Sequence, residues 1–138
     1  MSRARIVCIG NPYQPADWVG PAVHGILGTQ ALPDGIELID GGLQGLNLLR
    51  VLDGTGRVIF ADTLAGETAG ACTVIDDPLA AADALRFDHA GGLGYLLLAA
   101  RATQAALPRI RVVGASAGAP RATARAVAAR CLELADER

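Results

Sequence analysis

The chain reads as an α/β protein: one domain, residues 1–138, with a twisted, mostly parallel sheet of about five strands flanked by helices on both faces. Short apolar runs alternate with longer amphipathic ones, the pattern of strands linked by crossover helices. The length, 138 residues, suits a single domain. Hydrophobic residues make up 51% of the chain and charged ones 19%, enough apolar surface for a buried core and too little charge for global disorder. Aromatics are only 4%, so that core must be aliphatic.

Residues 5–9 (Arg-Ile-Val-Cys-Ile) read as a buried strand, followed by the turn-rich Gly10-Asn11-Pro12-Tyr13-Gln14-Pro15. A helix is expected to start near Asp17, a suitable N-cap, because Val19, Val23, Ile26 and Leu27 recur at helical spacing. Pro21 is tolerated because it falls in the first turn. Residues 36–40 make a second strand, ended by Gly41-Gly42, and a second helix runs through Leu46, Leu48, Leu49 and Val51 to Asp53-Gly54. Val58-Ile59-Phe60-Ala61, closed by Asp62, is the central strand. Cys72-Thr73-Val74-Ile75 follows as a strand, then a short helix around 80–85 and a longer one from about Gly92 to Ala106. Residues 110–113 form the last strand and 119–136 the terminal helix.

Composition excludes several chemistries. All 12 basic residues are arginine. Without lysine there is no P-loop lysine, Schiff base or Ser-Lys dyad. A net charge of -2 argues against nucleic acid as a partner. The three cysteines, Cys8, Cys72 and Cys131, form no CxxC pair and match neither a disulfide framework nor a zinc site. Cys8 reads as a small buried hydrophobe. No apolar stretch approaches the roughly 20 residues that span a bilayer, and the first apolar run is too short for a signal-peptide core. The expectation is a cytoplasmic protein with no membrane partner.

In a parallel sheet, ligands bind beyond the carboxyl ends of the strands. Asp17 lies after the first strand, Asp62 directly after the central one, and His89 at a loop-to-helix junction before Gly91-Gly92. Two carboxylates and an imidazole suit a divalent metal such as nickel, zinc or manganese. Each also has a plainer reading: Asp17 as an N-cap, Asp62 as a strand terminator, His89 as a helix cap. His24 lies two helical turns from Asp17, roughly 10 Å, too far to share an ion, and reads as a surface residue. Gly114-Ala115-Ser116-Ala117-Gly118 matches the G-x-S-x-G pattern of a nucleophile elbow. Both histidines precede the serine, however, against the order of that fold, so a tight strand-to-helix turn is the preferred reading.

Taken in order, these motifs resemble the hydrogenase maturation endopeptidases, which trim the large subunit of nickel–iron hydrogenases. The resemblance rests on Ile9-Gly10-Asn11-Pro12, Val19-Gly20-Pro21-Ala22-Val23, Asp40-Gly41-Gly42 with Gly45-Leu46, Val58 to Asp62, His89 with Gly92-Leu93, and Val112-Val113-Gly114. It implies a metal-dependent, aspartic-type endopeptidase that removes the C-terminal extension of a hydrogenase large-subunit precursor after nickel insertion. Asp17, Asp62 and His89 fall on the catalytic and metal-gripping positions. The nickel is borne by the substrate, and zinc or cadmium could take its place in a crystal. The sequence departs from the pattern at Asp17, where a longer glutamate is usual, at Thr63, where a small apolar residue is common, and in the short stretch after Gly114. Two alternatives remain: a maturation factor on the same fold that binds metal or precursor without cutting, and a serine hydrolase using Ser116 with His89 and Asp62.

Overall fold

The computed structural model describes residues 2–42, 45–64, 72–81, 93–103 and 106–137. Its strands are β1 (Ala4–Ile9), β2 (Ile36–Gly42), β3 (Arg57–Leu64), β4 (Thr73–Ile75) and β5 (Arg109–Ser116). The helices are α1 (Val19–Leu27), α2 (Pro78–Ala81), α3 (Leu93–Thr103) and α4 (Thr123–Ala135), with a 3₁₀ helix at Gly45–Leu52. The five strands form one sheet in the order β2-β1-β3-β5-β4. β1 pairs in parallel with β2 and β3, and β3 with β5, while the edge strand β4 runs antiparallel to β5. The expected sheet is therefore present. No helix among the described residues is long and apolar enough to cross a membrane.

Period-two alternation sorts the strand residues onto two faces. Ile6, Cys8, Ile59, Ala61, Val113 and Ala115 pack under α1 and α4, against Val23, Leu27, Val127 and Cys131. Val7, Ile9, Val58, Phe60, Ile110 and Val112 pack on the other face, against the 3₁₀ helix and α3 through Leu48, Val51, Leu96 and Leu97. Because both faces are covered, the strands read as continuous apolar runs. Burial pushes the Cys8 thiol up to about 12, helped by the nearby Asp40 charge, and pushes Cys131 well above the ordinary thiol value. Both are packing residues, as expected of Cys8.

Arg111, like Asp62, is a buried charged residue. It lies on β5 under the end of α4, where its Nη2 donates to the Leu134 carbonyl (3.2 Å) and to Glu137 Oε1 (2.9 Å). Arg57 Nη1 donates to the Ala135 carbonyl at 2.7 Å. The last turn of α4 has no basic residue of its own. Arginines from two strands thus satisfy its terminal carbonyls and face the negative end of its dipole. The Arg111 hydrogen bond holds the Glu137 carboxyl below its usual range.

Several boundaries differ from the sequence reading. β3 continues past Asp62 to Leu64, and β5 past Val113 to Ser116, because the two strands stay paired from Arg57↔Arg109 to Leu64↔Ser116. β2 includes Gly41 and Gly42, with a bulge between the Cys8↔Asp40 and Ile9↔Gly42 pairs. A Cβ on Gly41 would meet the flexible end of Ile9, Cδ1, at 2.7 Å, so a larger residue there would displace that side chain. The second helix is 3₁₀, and α4 starts four residues later than expected, at Thr123. α3 is described as far as Thr103, and Ala106 is not helical. Residues 82–85 of the short helix and the Gly92 start of the longer one lie outside the described residues.

Candidate active site at the switch point of the sheet

β1 is flanked by β2 on one side and β3 on the other, so the chain's direction of winding reverses beside it. The crevice at the carboxyl ends of β1 and β3 is the topological switch point, where sheets of this kind bind ligands. Asp17 follows β1, and Asp62 lies near the end of β3.

Asp17 does not cap α1. The helix begins at Val19, its N-cap is Trp18, and no side chain of its own caps it. Instead the Asp17 carboxylate turns back across its loop, and Oδ2 accepts the Asn11 backbone N–H at 2.9 Å. Gly10 has φ +147°, and a Cβ there would lie 2.9 Å from the Asp17 carbonyl and 3.1 Å from Oδ1. Glycine at the end of β1 therefore lets the carboxylate lie against the strand end.

Asp62 does not terminate its strand. It sits within β3, one step beyond the Cys8↔Ala61 pair and opposite Gly114 of β5. It is 2% exposed, and its Oδ1 accepts the Thr63 backbone N–H at 2.8 Å. Gly114 is required by this packing: a Cβ there would lie 2.1 Å from the Asp62 carbonyl. A carboxylate is costly to bury unless it is hydrogen-bonded or paired, and the Thr63 N–H meets part of that need.

Three residues hold the two sides together. The first free N–H of α1, on Val19, donates to Thr63 Oγ1 of β3 at 3.1 Å. The cap that α1 lacks locally is thus supplied by the neighbouring strand. Trp18 is buried, its Nε1 donates to the Ala117 carbonyl at 2.8 Å, and the Arg121 guanidinium lies 4.4 Å from the ring centroid. This joins the loop after β1 to the loop after β5. Gly20 packs on β1 so closely that a Cβ would lie 1.8 Å from the Ile9 carbonyl. Sequence reasoning assigned none of these roles; the one signal for them was polar Thr63 after an apolar strand.

No protein-family model matches the sequence, and a search of curated protein sequences finds no match. Solved structures do match. The hydrogenase maturating endopeptidase HybD from E. coli aligns with 95% of this chain and 90% of its own, at 21% identity and a TM-score of 0.77. A second endopeptidase from Escherichia coli aligns with 96% and 91%, at 21% identity and 0.73. The [NiFe] hydrogenase maturation protease HycI from Thermococcus kodakarensis aligns with 99% and 94%, at 18% identity and 0.62. The chain shares its fold with these endopeptidases.

Of the expected trio, Asp17 follows the end of β1 and Asp62 lies within the neighbouring β3, two residues before its end, while His89 lies outside the described residues. Among the described residues, no three His, Cys, Asp or Glu side chains cluster closely enough to hold a metal. The donors at the rim are two carboxylates, to which an imidazole would add the nitrogen that a borderline divalent ion favours. His24 lies in the last turn of α1, partly buried. Ser116 ends β5, and the turn from Ala117 to Ala122 separates it from α4. The G-x-S-x-G segment is therefore largely strand, neither an elbow nor a tight turn throughout.

Proposed function

We propose that this chain is a cytoplasmic endopeptidase that removes the C-terminal extension of a nickel–iron hydrogenase large-subunit precursor once nickel has been inserted. Two things support the reading. The fold of known hydrogenase maturation endopeptidases extends over nearly the whole chain, and Asp17 follows β1 while Asp62 lies near the carboxyl end of the neighbouring β3, the side of such a sheet on which ligands bind. The second observation carries the argument, because ligands of open parallel sheets bind beyond the carboxyl ends of the strands flanking a switch point.

The nickel belongs to the substrate. Asp17, Asp62 and His89 would grip it, with coordination positions left for the precursor's own ligands. A divalent ion so held polarises a scissile carbonyl or lowers the pKa of a water. The chain's part is orientation: β3 holds Asp62, and the Asn11 N–H holds Asp17 through Oδ2, so that Oδ1 would serve the ion. A second reading is a maturation factor that binds without cutting. It is favoured by Asp17, whose short side chain already has Oδ2 engaged by Asn11.

The test is to incubate the protein with nickel-loaded and nickel-free precursor and follow intact mass. The proposal expects loss of the tail from the loaded form alone. Equal cutting of both, or of neither, contradicts it, and tight binding without cutting supports the second reading.

A further inference from the structure

The segment bearing Asp17 is tied to the strand bearing Asp62 by a buried hydroxyl. Val19, just after Asp17 and Trp18, is the first residue of α1, and its N–H donates to Thr63 Oγ1 at 3.1 Å. Thr63 follows Asp62 directly on β3. Successive strand residues project to opposite faces, so Thr63 meets α1 in step with Ile59 and Ala61, while Asp62 alternates with it. The link therefore acts on Asp62 through the β3 backbone. That backbone is fixed from its other side too, where a Cβ on Gly114 of β5 would lie 2.1 Å from the Asp62 carbonyl. On the Asp17 side, the Asn11 N–H holds Oδ2 and the Trp18 indole is bonded to the Ala117 carbonyl.

We infer that Thr63 is a positioning residue, whose hydroxyl sets the separation at which two short aspartates share one divalent ion. The inference rests on the reading of Asp17 and Asp62 as ligands to the precursor's nickel and adds the device that spaces them. Carboxylate oxygens bind an ion such as zinc at about 2.0–2.2 Å, so two of them on one ion lie no more than roughly 4.4 Å apart. Aspartate has a single methylene, and each side chain is already held, Asp17 through Oδ2 by Asn11 and Asp62 through Oδ1 by the Thr63 N–H. Neither arm can swing far to cover a wider gap. In Thr63→Val the Val19 nitrogen meets a methyl group in place of the oxygen now 3.1 Å away. Contact with carbon is kept at about 3.5–4.0 Å, so the segment stands off by roughly 0.5–1 Å. A ligating constellation tolerates only about 0.5 Å. Asp17→Glu lengthens the arm by about one carbon–carbon bond, ~1.5 Å, and so makes good the lost reach.

The experiment titrates nickel chloride into the metal-free full chain by calorimetry and measures Tm by circular dichroism. It compares wild type, Thr63→Ser, Thr63→Val, Asp17→Glu and the double variant Thr63→Val/Asp17→Glu, with Asp17→Asn as the control for the grip itself. The inference expects Thr63→Ser to bind within about threefold of wild type and Thr63→Val to bind about tenfold or more weakly. Asp17→Glu alone brings no gain, whereas added to Thr63→Val it recovers most of the affinity while Tm stays at the lower value. A hydroxyl that merely stabilises the fold gives additive effects and no recovery. Additive effects, or a folded Thr63→Val that binds nickel as wild type does, overturn the positioning role. The grip then still stands, provided Asp17→Asn weakens binding. Unchanged binding in Asp17→Asn, or no binding by wild type, overturns the grip and the inference with it. Thr63→Ala removes the same oxygen with a smaller side chain and carries the comparison if Thr63→Val does not fold.

Discussion

Replacing Thr63 by valine isolates the link between β3 and α1. Thr63 is buried, and its hydroxyl is the acceptor for the first N–H of α1, which has no cap of its own. Valine keeps the branched shape and removes only the oxygen. The Val19 N–H is then buried without a partner, which costs roughly 1–3 kcal/mol. For a chain of 138 residues, 1 kcal/mol corresponds to about 4 °C in Tm. A loss of about 2 kcal/mol should therefore lower the midpoint by about 8 °C. Thr63→Ser keeps the oxygen and loses a methyl, at about 0.8 kcal/mol. Thermal and urea denaturation followed by circular dichroism measure both, and amide exchange at Val19 localises the effect. The reasoning is refuted if the valine variant lies within about 0.5 kcal/mol of wild type, or if Val19 exchanges no faster in it than in the serine variant.

The glycines separate tight contacts from open ones. Gly20→Ala and Gly114→Ala would place a Cβ at 1.8 and 2.1 Å from backbone carbonyls, so each should lose more than about 4 kcal/mol or fail to fold, as judged by soluble yield and denaturation. Gly25 is exposed in α1 with nothing within 4 Å of its Cβ position, and Gly25→Ala should gain about 0.5–1 kcal/mol in the same assay. Among the thiols, half-buried Cys72 should react with a disulfide reagent in the native protein, and Cys8 and Cys131 only on unfolding. The folded Cys8 thiol stays protonated up to about 12, whereas the unfolded one ionises near 8.5. Between those values the native state holds the extra proton, so stability is complete below the unfolded value and falls as pH rises. Cys8→Ala should flatten that alkaline slope in denaturation curves taken from pH 8 to 11.

Much of the fold was legible because its strands are apolar on both faces and interrupted by turn residues. The boundaries were less so, since they depend on partners far away in the chain. Asp62 and Val113 look like the ends of strands, yet the β3–β5 ladder extends past them to Leu64 and Ser116. Likewise, Asp17 has the local signature of a helix cap, but the cap is Thr63, 44 residues away from Val19. The glycines at 41 and 42 look like a stop and are instead a bulge that keeps β2 paired with β1. The carboxylates stood out for other reasons: Asp62 is an acid closing an apolar run, where burial is expensive, and Asp17 follows the first strand at a loop-to-helix junction. What no local pattern revealed was Trp18 and Arg121, whose stacking joins two loops about a hundred residues apart.

The central claim is that one divalent ion is gripped by Asp17, Asp62 and His89 together. Calorimetric titration of nickel into wild type and into Asp17→Asn, Asp62→Asn and His89→Gln, each checked for folding, tests it most directly. The account predicts one ion per chain, bound at least about tenfold more weakly in every variant, about 1.4 kcal/mol each. A folded variant that binds nickel as wild type does would remove that residue from the site and contradict the account.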